Sequence, residues 1–489
     1  MKKIFSFIAL AAIVASCGGN KPKAEEATAE AATTVEEVAT ANEAAEESEE
    51  AAYDMYNSVV YELNIRQATA EGTFRAAEEY LPTLKQMGVD IVWLMPISPI
   101  GVEGRKGTLG SYYSIVDYKA INPEFGTLDD FKSFLDKAHD LGLKVIIDWV
   151  ANHTSRDAKW WTEGKKDWYK IDPETDLPIV EYDWTDIASL DYENEDMRAA
   201  MTEALCYWVE IGIDGYRCDV AYKVPSDFWQ AAFEEVKKIN PNVYLLAEGE
   251  ESWLHNNAFD TTYAWEFHHM MNAMAKGGSE TKNVAGDGTI KTDAKSVKDL
   301  KEYIARDAQN YAAPAMRLMF TSNHDENSWA GTEMERMGDA HKAFAALTFV
   351  LPQGQPLIYT GQEIGLNRRL QFFEKDPIVE LVDTEYGKEY RDFYTKLCSF
   401  RHANKALAAG NNVAPIVYVE GASDNLFAFT RQKADNTVFC VFNFSAEPAT
   451  LTITEREAGD YTCACGEKMS FAAGDTMELG AWDFKLLAR

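Results

Sequence analysis

Eight short apolar runs between residues 59 and 360 constrain the fold of this 489-residue chain more than any other feature. They fall at residues 59–65, 89–96, 144–150, 215–220, 243–247, 261–265, 316–321 and 355–360, with helical segments between them. In the first of these segments Phe74, Ala77, Leu81 and Leu84 recur at helical spacing before Gly88. Strands that are apolar on both faces and alternate with helices are typical of parallel sheets. Eight of them predict a closed (β/α)8 TIM barrel of the α/β class rather than an open sheet.

Two parts of the chain do not follow this alternation. Residues 154–191 are rich in Trp, Asp and Lys and are longer than an ordinary loop, so they predict a short insertion after strand 3. After residue 405, the runs 426–431 and 437–444 indicate a hairpin in which Phe427, Phe429, Phe442 and Phe444 alternate as a core face does. We therefore expect the barrel over residues 52–405, with the insertion at about 154–191, and a C-terminal antiparallel β-sandwich domain over residues 406–489.

The first 51 residues predict an export signal and a tether. Lys2 and Lys3 precede an apolar stretch, residues 4–14, that is too short to span a bilayer. The tetrapeptide Val14-Ala15-Ser16-Cys17 resembles a bacterial lipobox, which implies a signal peptide over residues 1–16 and a lipid on Cys17. An ordinary signal peptide cleaved nearby is the alternative. Residues 17–51, rich in Ala, Glu and Thr, predict a disordered acidic tether. The expected location is a bacterial membrane, on its periplasmic side or at the cell surface.

The net charge argues against one class of partner, and the spacing of the cysteines argues against two kinds of cysteine site. Lys and Arg number 47 against 79 Asp and Glu, and the formal net charge of −32 would repel a polyphosphate backbone. A nucleic-acid partner is therefore not expected. The cysteines after Cys17 are widely spaced, which indicates structural thiols rather than a disulfide framework or a metal site.

Carboxylates gather at the predicted carboxyl ends of the strands, where the loops of a TIM barrel converge. The third strand ends in Asp148-Trp149-Val150-Ala151-Asn152-His153, the fourth in Asp214-Gly215-Tyr216-Arg217-Cys218-Asp219, the fifth in Ala247-Glu248 and the seventh in Ser322-Asn323-His324-Asp325. Three separate strands thus present Asp219, Glu248 and Asp325 to one mouth of the barrel.

Such a cluster of carboxylates predicts the cleavage of glycosidic bonds. This chemistry needs one carboxylic acid to protonate the leaving oxygen and one carboxylate to attack the anomeric carbon, about 5–5.5 Å apart in retaining enzymes. Arg217, two residues before Asp219 on the same face of its strand, favours an ionised Asp219 as the nucleophile. Glu248 has no adjacent cation in the sequence and is the better candidate for an acid/base of raised pKa.

Four segments carry a resemblance to a known family. Asp148-x-x-x-Asn152-His153, Gly215-Tyr216-Arg217-x-Asp219, Ala247-Glu248 and Ser322-Asn323-His324-Asp325 resemble, in this order, the four signature regions of the α-amylase family of glycoside hydrolases, family thirteen. The resemblance covers about residues 52–489. It implies that Asp219 is the nucleophile, Glu248 the acid/base and Asp325 a third carboxylate that grips sugar hydroxyls.

The same resemblance implies roles for residues around the cleaved sugar. Arg217, His153 and His324 match residues that surround this sugar, and Asp148 matches a carboxylate that orients its neighbours. A further match, Gly110-Ser111-Tyr112-Tyr113-Ser114-Ile115-Val116-Asp117-Tyr118, implies that Tyr113 stacks on the sugar. Core packing is the alternative for Tyr113 and for its neighbour Tyr112.

The family resemblance implies a structural calcium site, but one of its expected aspartate ligands is replaced in this sequence. Many relatives use an asparagine that matches Asn152, a carbonyl near the end of the fourth-strand motif, and an aspartate whose place falls here on Ser189. Calcium requires several oxygen ligands, among them carboxylates. Asp183, Asp186 and Asp191 are close enough in sequence to substitute, and solvated loop acids are the alternative. The metal therefore stays undetermined, and no cofactor is expected to be required for the chemistry.

The resemblance implies a retaining hydrolase that acts on α-glucosidic bonds of starch-type glucans or maltooligosaccharides by double displacement. The alternatives within the family are a transglycosylase and an α-glucosidase or neopullulanase-like enzyme. Outside it they are a non-catalytic glucan-binding surface lipoprotein and a metal-dependent hydrolase built from Asp148, His153, Asp219 and His324. Tyr222 and Lys223, after the fourth strand, are candidates for acceptor-site groups that decide between hydrolysis and transfer.

Overall fold

The predicted strands form a closed parallel barrel. In the computed structural model, which describes residues 54–256, 258–282 and 289–489, each barrel strand pairs with its neighbours in sequence and the eighth closes on the first. The strands are β1 (Val60–Leu63), β2 (Ile91–Leu94), β3 (Lys144–Trp149), β4 (Gly215–Cys218), β5 (Tyr244–Ala247), β6 (Thr261–Tyr263), β7 (Met316–Met319) and β8 (Gly354–Tyr359). The predicted TIM barrel is confirmed.

Two apolar layers stabilise the barrel, because alternate strand residues point inward and outward. In β2, Ile91 and Trp93 belong to the cluster inside the barrel, whereas Val92 and Leu94 pack in the layer beneath the helices. The principal helices are Phe74–Glu78, Leu81–Met87, Leu128–Asp140, Glu195–Ile211, Ser226–Ile239, Trp265–Lys276, Val297–Asn310, Glu333–Met337, His341–Thr348 and Glu385–Ala403. This double burial is the physical reason for strands that are apolar on both faces.

Local signals in the sequence set the ends of several helices. Thr127 and Asp130 form a reciprocal capping box at the start of Leu128–Asp140. Gly88 and Gly212 end two other helices in the left-handed conformation, with φ of 97° and 117°. These ends place the following strands β2 and β4 in register for the barrel.

One expected helical segment has a different form. Between β5 and β6 the described residues form only the short 3-10 helix Ser252–His255. The segment between Ala247 and Thr261 has about the minimum length of a parallel crossover, roughly a dozen residues, which leaves little room for a longer helix.

The insertion after β3 has little regular structure of its own. His153–Ser155 pairs antiparallel with Ile187–Ser189, and Ile171–Asp172 pairs with Leu177–Pro178. The short helix Lys159–Thr162 lies between these pairs. The first pairing ties both ends of the insertion directly to the carboxyl end of β3.

A hairpin in the connection between β6 and β7 was not predicted from the sequence. Its strands are Gly278–Lys282 and Thr289–Asp293.

The C-terminal part is an antiparallel β structure, as predicted. Its strands are β9 (Val417–Tyr418), β10 (Leu426–Lys433), β11 (Asn436–Asn443), β12 (Ala449–Thr452), β13 (Gly459–Cys463), β14 (Lys468–Phe471), β15 (Thr476–Leu479) and β16 (Phe484–Ala488). Six of them form a sheet in the order β9-β10-β11-β16-β13-β14, and β12 pairs with β15. Phe427, Phe429 and Phe442 join the large core, and Phe444 stacks on Phe344 with ring centroids 4.7 Å apart.

Some predictions concern parts of the chain that this structure does not describe. The signal peptide, the acidic tether and Cys17 lie outside the described residues. Among the residues that the structure describes, no helix combines the length and the apolar character needed to cross a membrane. The domain boundary between residues 405 and 406 stays a prediction.

Candidate active site

The register of the barrel places Asp219 and Glu248 side by side. Cys218 on β4 pairs with Ala247 on β5, so the next residue of each strand leaves the sheet at the same level. The backbone ladder continues through both residues, since Asp219 N donates to Trp149 O at 2.9 Å and Glu248 N donates to Cys218 O at 3.0 Å. Two rigid strands therefore hold the two carboxyl groups together at the mouth.

A single buried guanidinium joins three carboxyl groups. Arg217 contacts Asp148 at 2.9 Å, Asp219 at 3.1 Å and Glu248 at 3.0 Å. Glu248 has no adjacent cation in the sequence, but the fold brings Arg217 beside it. Adjacency along the chain does not reveal this contact, because it crosses from β4 to the neighbouring strand β5.

The two neighbouring carboxyl groups differ in their tendency to hold a proton. Burial raises the pKa of Asp219 and of Glu248, and Arg217 opposes this effect at both. A hydrogen bond with Glu248 lowers the pKa of Asp219, whereas the charge of Asp219 raises the pKa of Glu248. Arg217 thus favours ionised Asp219 as expected, although burial outweighs it. The mutual effects favour ionisation of Asp219 over ionisation of Glu248.

A strained residue next to Asp219 fixes the orientation of Glu248. Val220 has φ of 36° and ψ of 46°, in the left-handed region that β-branched residues rarely occupy. Its amide donates to Glu248 Oε2 at 2.7 Å. Such a conformation costs of order 1–3 kcal/mol, and it persists at functional sites where the surrounding structure enforces it.

Asp325 interacts electrostatically with this pair. Burial raises its pKa to about 7, with His324 and Arg217 opposing the effect and Glu248 and Asp219 adding to it. His324 Nε2 is 3.4 Å from Asp325 Oδ2. The three carboxylates predicted from strands 4, 5 and 7 thus form one electrostatically coupled group.

Tyr113 connects this group to Asp148 and His324. Its hydroxyl donates to Asp148 Oδ2 at 2.9 Å and lies 2.8 Å from His324 Nε2. Its ring stacks on His324 with centroids 5.4 Å apart and on Phe372 at 6.3 Å. Tyr113 also lines the pocket, whereas Tyr112 is buried and donates to Asn64, which is the core role held open for it.

Glu62 on β1 was missed by the sequence analysis. It is fully buried, contacts His324 Nδ1 and has a pKa that burial raises well above its ordinary value. His324 therefore bridges two groups, with Nε2 2.8 Å from the Tyr113 hydroxyl and Nδ1 in contact with Glu62 Oε1. The available signal was a charged residue inside the apolar run 59–65.

Two further side chains support the predicted site. Trp93 in β2 donates from Nε1 to Asp148 Oδ2 at 3.2 Å, and the Arg217 guanidinium lies 5.0 Å from its ring centroid. His153 lies 5.7 Å from Trp184 of the insertion, and burial lowers its pKa to about 4, so it is neutral near pH 7.

The pocket over these groups has a volume of about 880 Å³ and suits a neutral ligand with both apolar faces and hydroxyl groups. Asp219, Glu248 and Asp325 line its floor. Its aromatic lining comprises Tyr113, Trp184, Tyr222, Trp265, Trp329, Phe372 and Phe373. The sequence analysis did not single out Trp265, Trp329, Phe372 or Phe373 as pocket residues.

Comparison with known proteins decides the family. Residues 40–404 match the family model described as the α-amylase catalytic domain. The chain belongs to the α-amylase family of glycoside hydrolases. This membership confirms the resemblance drawn from the four sequence segments.

Individual members of the family are distant relatives. The chain is 28% identical over 436 residues to α-amylase MalA of Haloarcula japonica, a match that covers 84% of this chain and 60% of that protein. It is 27% identical over 426 residues to neopullulanase 2 of Thermoactinomyces vulgaris, covering 81% and 67%. The crystal structure of an α-amylase from Lactobacillus plantarum has a TM-score of 0.76 and 29% identity, covering 89% of this chain and 99% of that one. This chain thus spans less than two thirds of the Haloarcula protein.

Two of the three acids considered above as substitute calcium ligands, Asp186 and Asp191, have contacts to other groups. Asp186 lies 3.7 Å from the ammonium of Lys106, and Asp191 Oδ1 accepts from Glu193 N at 3.1 Å. Across the described part of the chain, no three or more His, Cys, Asp or Glu side chains are grouped in a way that could hold a metal ion.

Proposed function

We propose that this protein is a retaining glycoside hydrolase that cleaves α-glucosidic bonds of starch-type glucans or maltooligosaccharides. The observation that carries the proposal is the placement of Asp219 and Glu248 on adjacent strands, where both carboxyl groups contact the Arg217 guanidinium, at 3.1 and 3.0 Å. Contact with one shared guanidinium supports the close carboxyl spacing of a retaining enzyme over the wider spacing, with room for a water, of an inverting enzyme. Family membership and the aromatic pocket support the substrate class.

The first step uses both carboxyl groups at once. Ionised Asp219 attacks the anomeric carbon while the bond between that carbon and the leaving oxygen breaks. Glu248 gives its proton to the leaving oxygen. The products are a glycosyl ester of Asp219 and a shortened glucan with a free hydroxyl. In the second step Glu248 takes a proton from water, which attacks the anomeric carbon and releases Asp219. An acceptor sugar in place of water gives transglycosylation.

The surrounding residues hold the sugar and the carboxylates in place. Asp325 accepts hydrogen bonds from sugar hydroxyls, and neutral His153 and His324 supply further polar contacts. Tyr113 offers a ring face to the sugar. Asp148 holds the guanidinium of Arg217 and the hydroxyl of Tyr113, so it acts by positioning its neighbours.

A product profile tests this function. We expect purified protein to shorten maltoheptaose, and digestion of pullulan, panose and cyclodextrin will show whether its action is amylase-like or neopullulanase-like. An unchanged activity in EDTA is expected, since no step uses a metal. Binding of maltoheptaose without any turnover of these substrates would favour the non-catalytic glucan-binding protein. Loss of activity in EDTA without unfolding, reversed by added metal, would favour the metal-dependent hydrolase.

We also propose that the mature protein is a lipoprotein anchored through Cys17. The basic start, the short apolar stretch and the segment Val14-Ala15-Ser16-Cys17 support this. The acidic residues 17–51 would then tether the barrel to the membrane surface. A thioether-linked diacylglycerol plus an amide-linked acyl chain would give stable anchoring.

The Cys17→Ser variant should lose this anchor. In bacteria fed radiolabelled palmitate, we expect the wild-type chain to carry label and to sediment with membranes, and the variant to carry none. Cys465→Ser is the matched control, because Cys465 is an exposed thiol far along the chain. Equal labelling of wild type and Cys17→Ser would contradict the proposal and favour an ordinary signal peptide.

A further inference from the structure

A lysine ammonium stands among the residues that match the family's structural calcium site. Lys223 Nζ forms an ion pair with Glu181 Oε2, and Glu181 Oε1 accepts from Asn152 Nδ2 at 3.2 Å and from Ser189 Oγ at 3.3 Å. The side chains of Lys223 and Glu181 are only 16% and 21% exposed. Glu181 thus receives three donors, one of them charged.

These residues do not fit a calcium ion. Asn152 directs its amide NH₂ at Glu181, and Ser189 directs its hydroxyl proton there, so both present donors where calcium requires oxygen lone pairs. One carboxylate is the only anionic oxygen source in the cluster. The ammonium of Lys223 would also repel a divalent cation bound to the same carboxylate.

Aromatic rings complete the surroundings of the ammonium. Lys223 Nζ lies 4.2 Å from the ring centroid of Tyr182 and 5.3 Å from that of Trp184. A cation held over aromatic faces gains electrostatic attraction from the rings. The carboxylate and both rings belong to the insertion, whereas Lys223 ends the short 3-10 helix Ala221–Lys223 directly after β4.

We propose that the Lys223 ammonium replaces the family's calcium and fastens the insertion to the barrel beside Asp219. Lys223 thereby acts as a positioning residue. It holds Trp184 against His153 at the edge of the pocket. The expectation that Lys223 serves as an acceptor-site group is replaced by this role, while Tyr222 does line the pocket. The stabilising role of Lys223 is independent of the proposed function. Its effect on the substrate pocket rests on the proposed function.

Thermal unfolding of the full chain tests the replacement. We expect the wild-type Tm to be the same in EDTA and in millimolar CaCl₂. Lys223→Met should lower Tm by roughly 3–6 °C, because it leaves the Glu181 carboxylate without its cation in a mostly buried place. Lys223→Arg, which keeps the charge, should recover most of the loss. Lys238→Met is the matched control, since Lys238 pairs with Glu235 while 66% exposed, and its Tm should change by about 1 °C or less.

Kinetics with maltoheptaose separate positioning from stability alone. At a temperature where every variant is folded, Lys223→Met should raise KM several-fold more than it lowers kcat, and Lys223→Arg should restore KM. Two melting results would overturn the proposal. One is a wild-type Tm that falls in EDTA, recovers with calcium and loses this response in Glu181→Gln. The other is a Lys223→Met protein that melts like the wild type.

The experiments still test the role of Lys223 if a variant does not fold or if the proposed function is wrong. If Lys223→Met does not fold, the wild-type metal response and the Tm of Lys223→Arg decide, and an Arg variant that gains stability from calcium would count against the replacement. If the wild type turns over no glucan, the proposed function fails while the melting experiments still test the ammonium.

Discussion

The Asp219→Asn variant should lose turnover of maltoheptaose and keep its binding. We expect kcat to fall by roughly four orders of magnitude or more, as when a nucleophile is removed from other covalent mechanisms. The amide cannot attack the anomeric carbon, so no glycosyl ester forms. Its oxygen can still accept the hydrogen bond from Arg217 that Asp219 Oδ1 accepts at 3.1 Å. The fold and the pocket should therefore stay intact.

Turnover and binding must be measured on the same preparation. Calorimetric titration should still detect saturable binding of maltoheptaose to Asp219→Asn. Asp227→Asn is the matched control, because this exposed aspartate pairs with Arg198 away from the pocket, and it should keep full activity. Normal turnover by Asp219→Asn would show that the nucleophile has been assigned to the wrong residue.

The Glu248→Gln variant should lose activity to a degree that depends on the leaving group. For maltoheptaose we expect kcat to fall by about 10²–10⁴-fold, because the leaving oxygen is no longer protonated. An aryl maltoside with an acidic phenol needs little protonation, so its first step should be much less affected. Release of the phenol followed by slow hydrolysis of the glycosyl ester would then appear as a burst.

The pH profile provides a second test of Glu248. Its pKa is raised by burial, opposed by Arg217 and reinforced by the charge of Asp219. A raised pKa keeps the acid protonated to higher pH, so the wild-type kcat/KM should fall only as pH rises through this raised value. Glu248→Gln should lack that alkaline limb, and Glu235→Gln, an exposed control, should keep it. An unchanged alkaline limb in Glu248→Gln would assign the acid to another group.

The barrel and its three carboxylates were predictable because their causes are local. The strands are largely apolar on both faces, Asp219 and Glu248 each follow a strand directly, and Asp325 lies in the segment just after β7. A parallel barrel brings the carboxyl ends of its strands to one mouth whatever the details of packing. Knowing the order of the strands was therefore enough to bring these three residues together.

Contacts that cross between elements were not predictable in the same way. Arg217 reaches Glu248 because β4 and β5 are adjacent, and Lys223 reaches Glu181 because the insertion folds back over the end of β4. Glu62 on β1 contacts His324, which lies after β7 and is far from Glu62 in the sequence. Such pairs depend on register and on loop paths that no local pattern encodes. Among them, the contacts of Arg217 oppose the rise that burial causes in the pKa of Asp219 and of Glu248.

The anomeric form of the first product tests the central claim most directly. Proton NMR during early cleavage of maltoheptaose, before mutarotation mixes the anomers, distinguishes the two stereochemical outcomes. Attack by Asp219 followed by attack of water inverts the anomeric carbon twice, so the account predicts a product released as the α-anomer. Release of the β-anomer would mean a single displacement and would contradict the assignment of Asp219 as nucleophile.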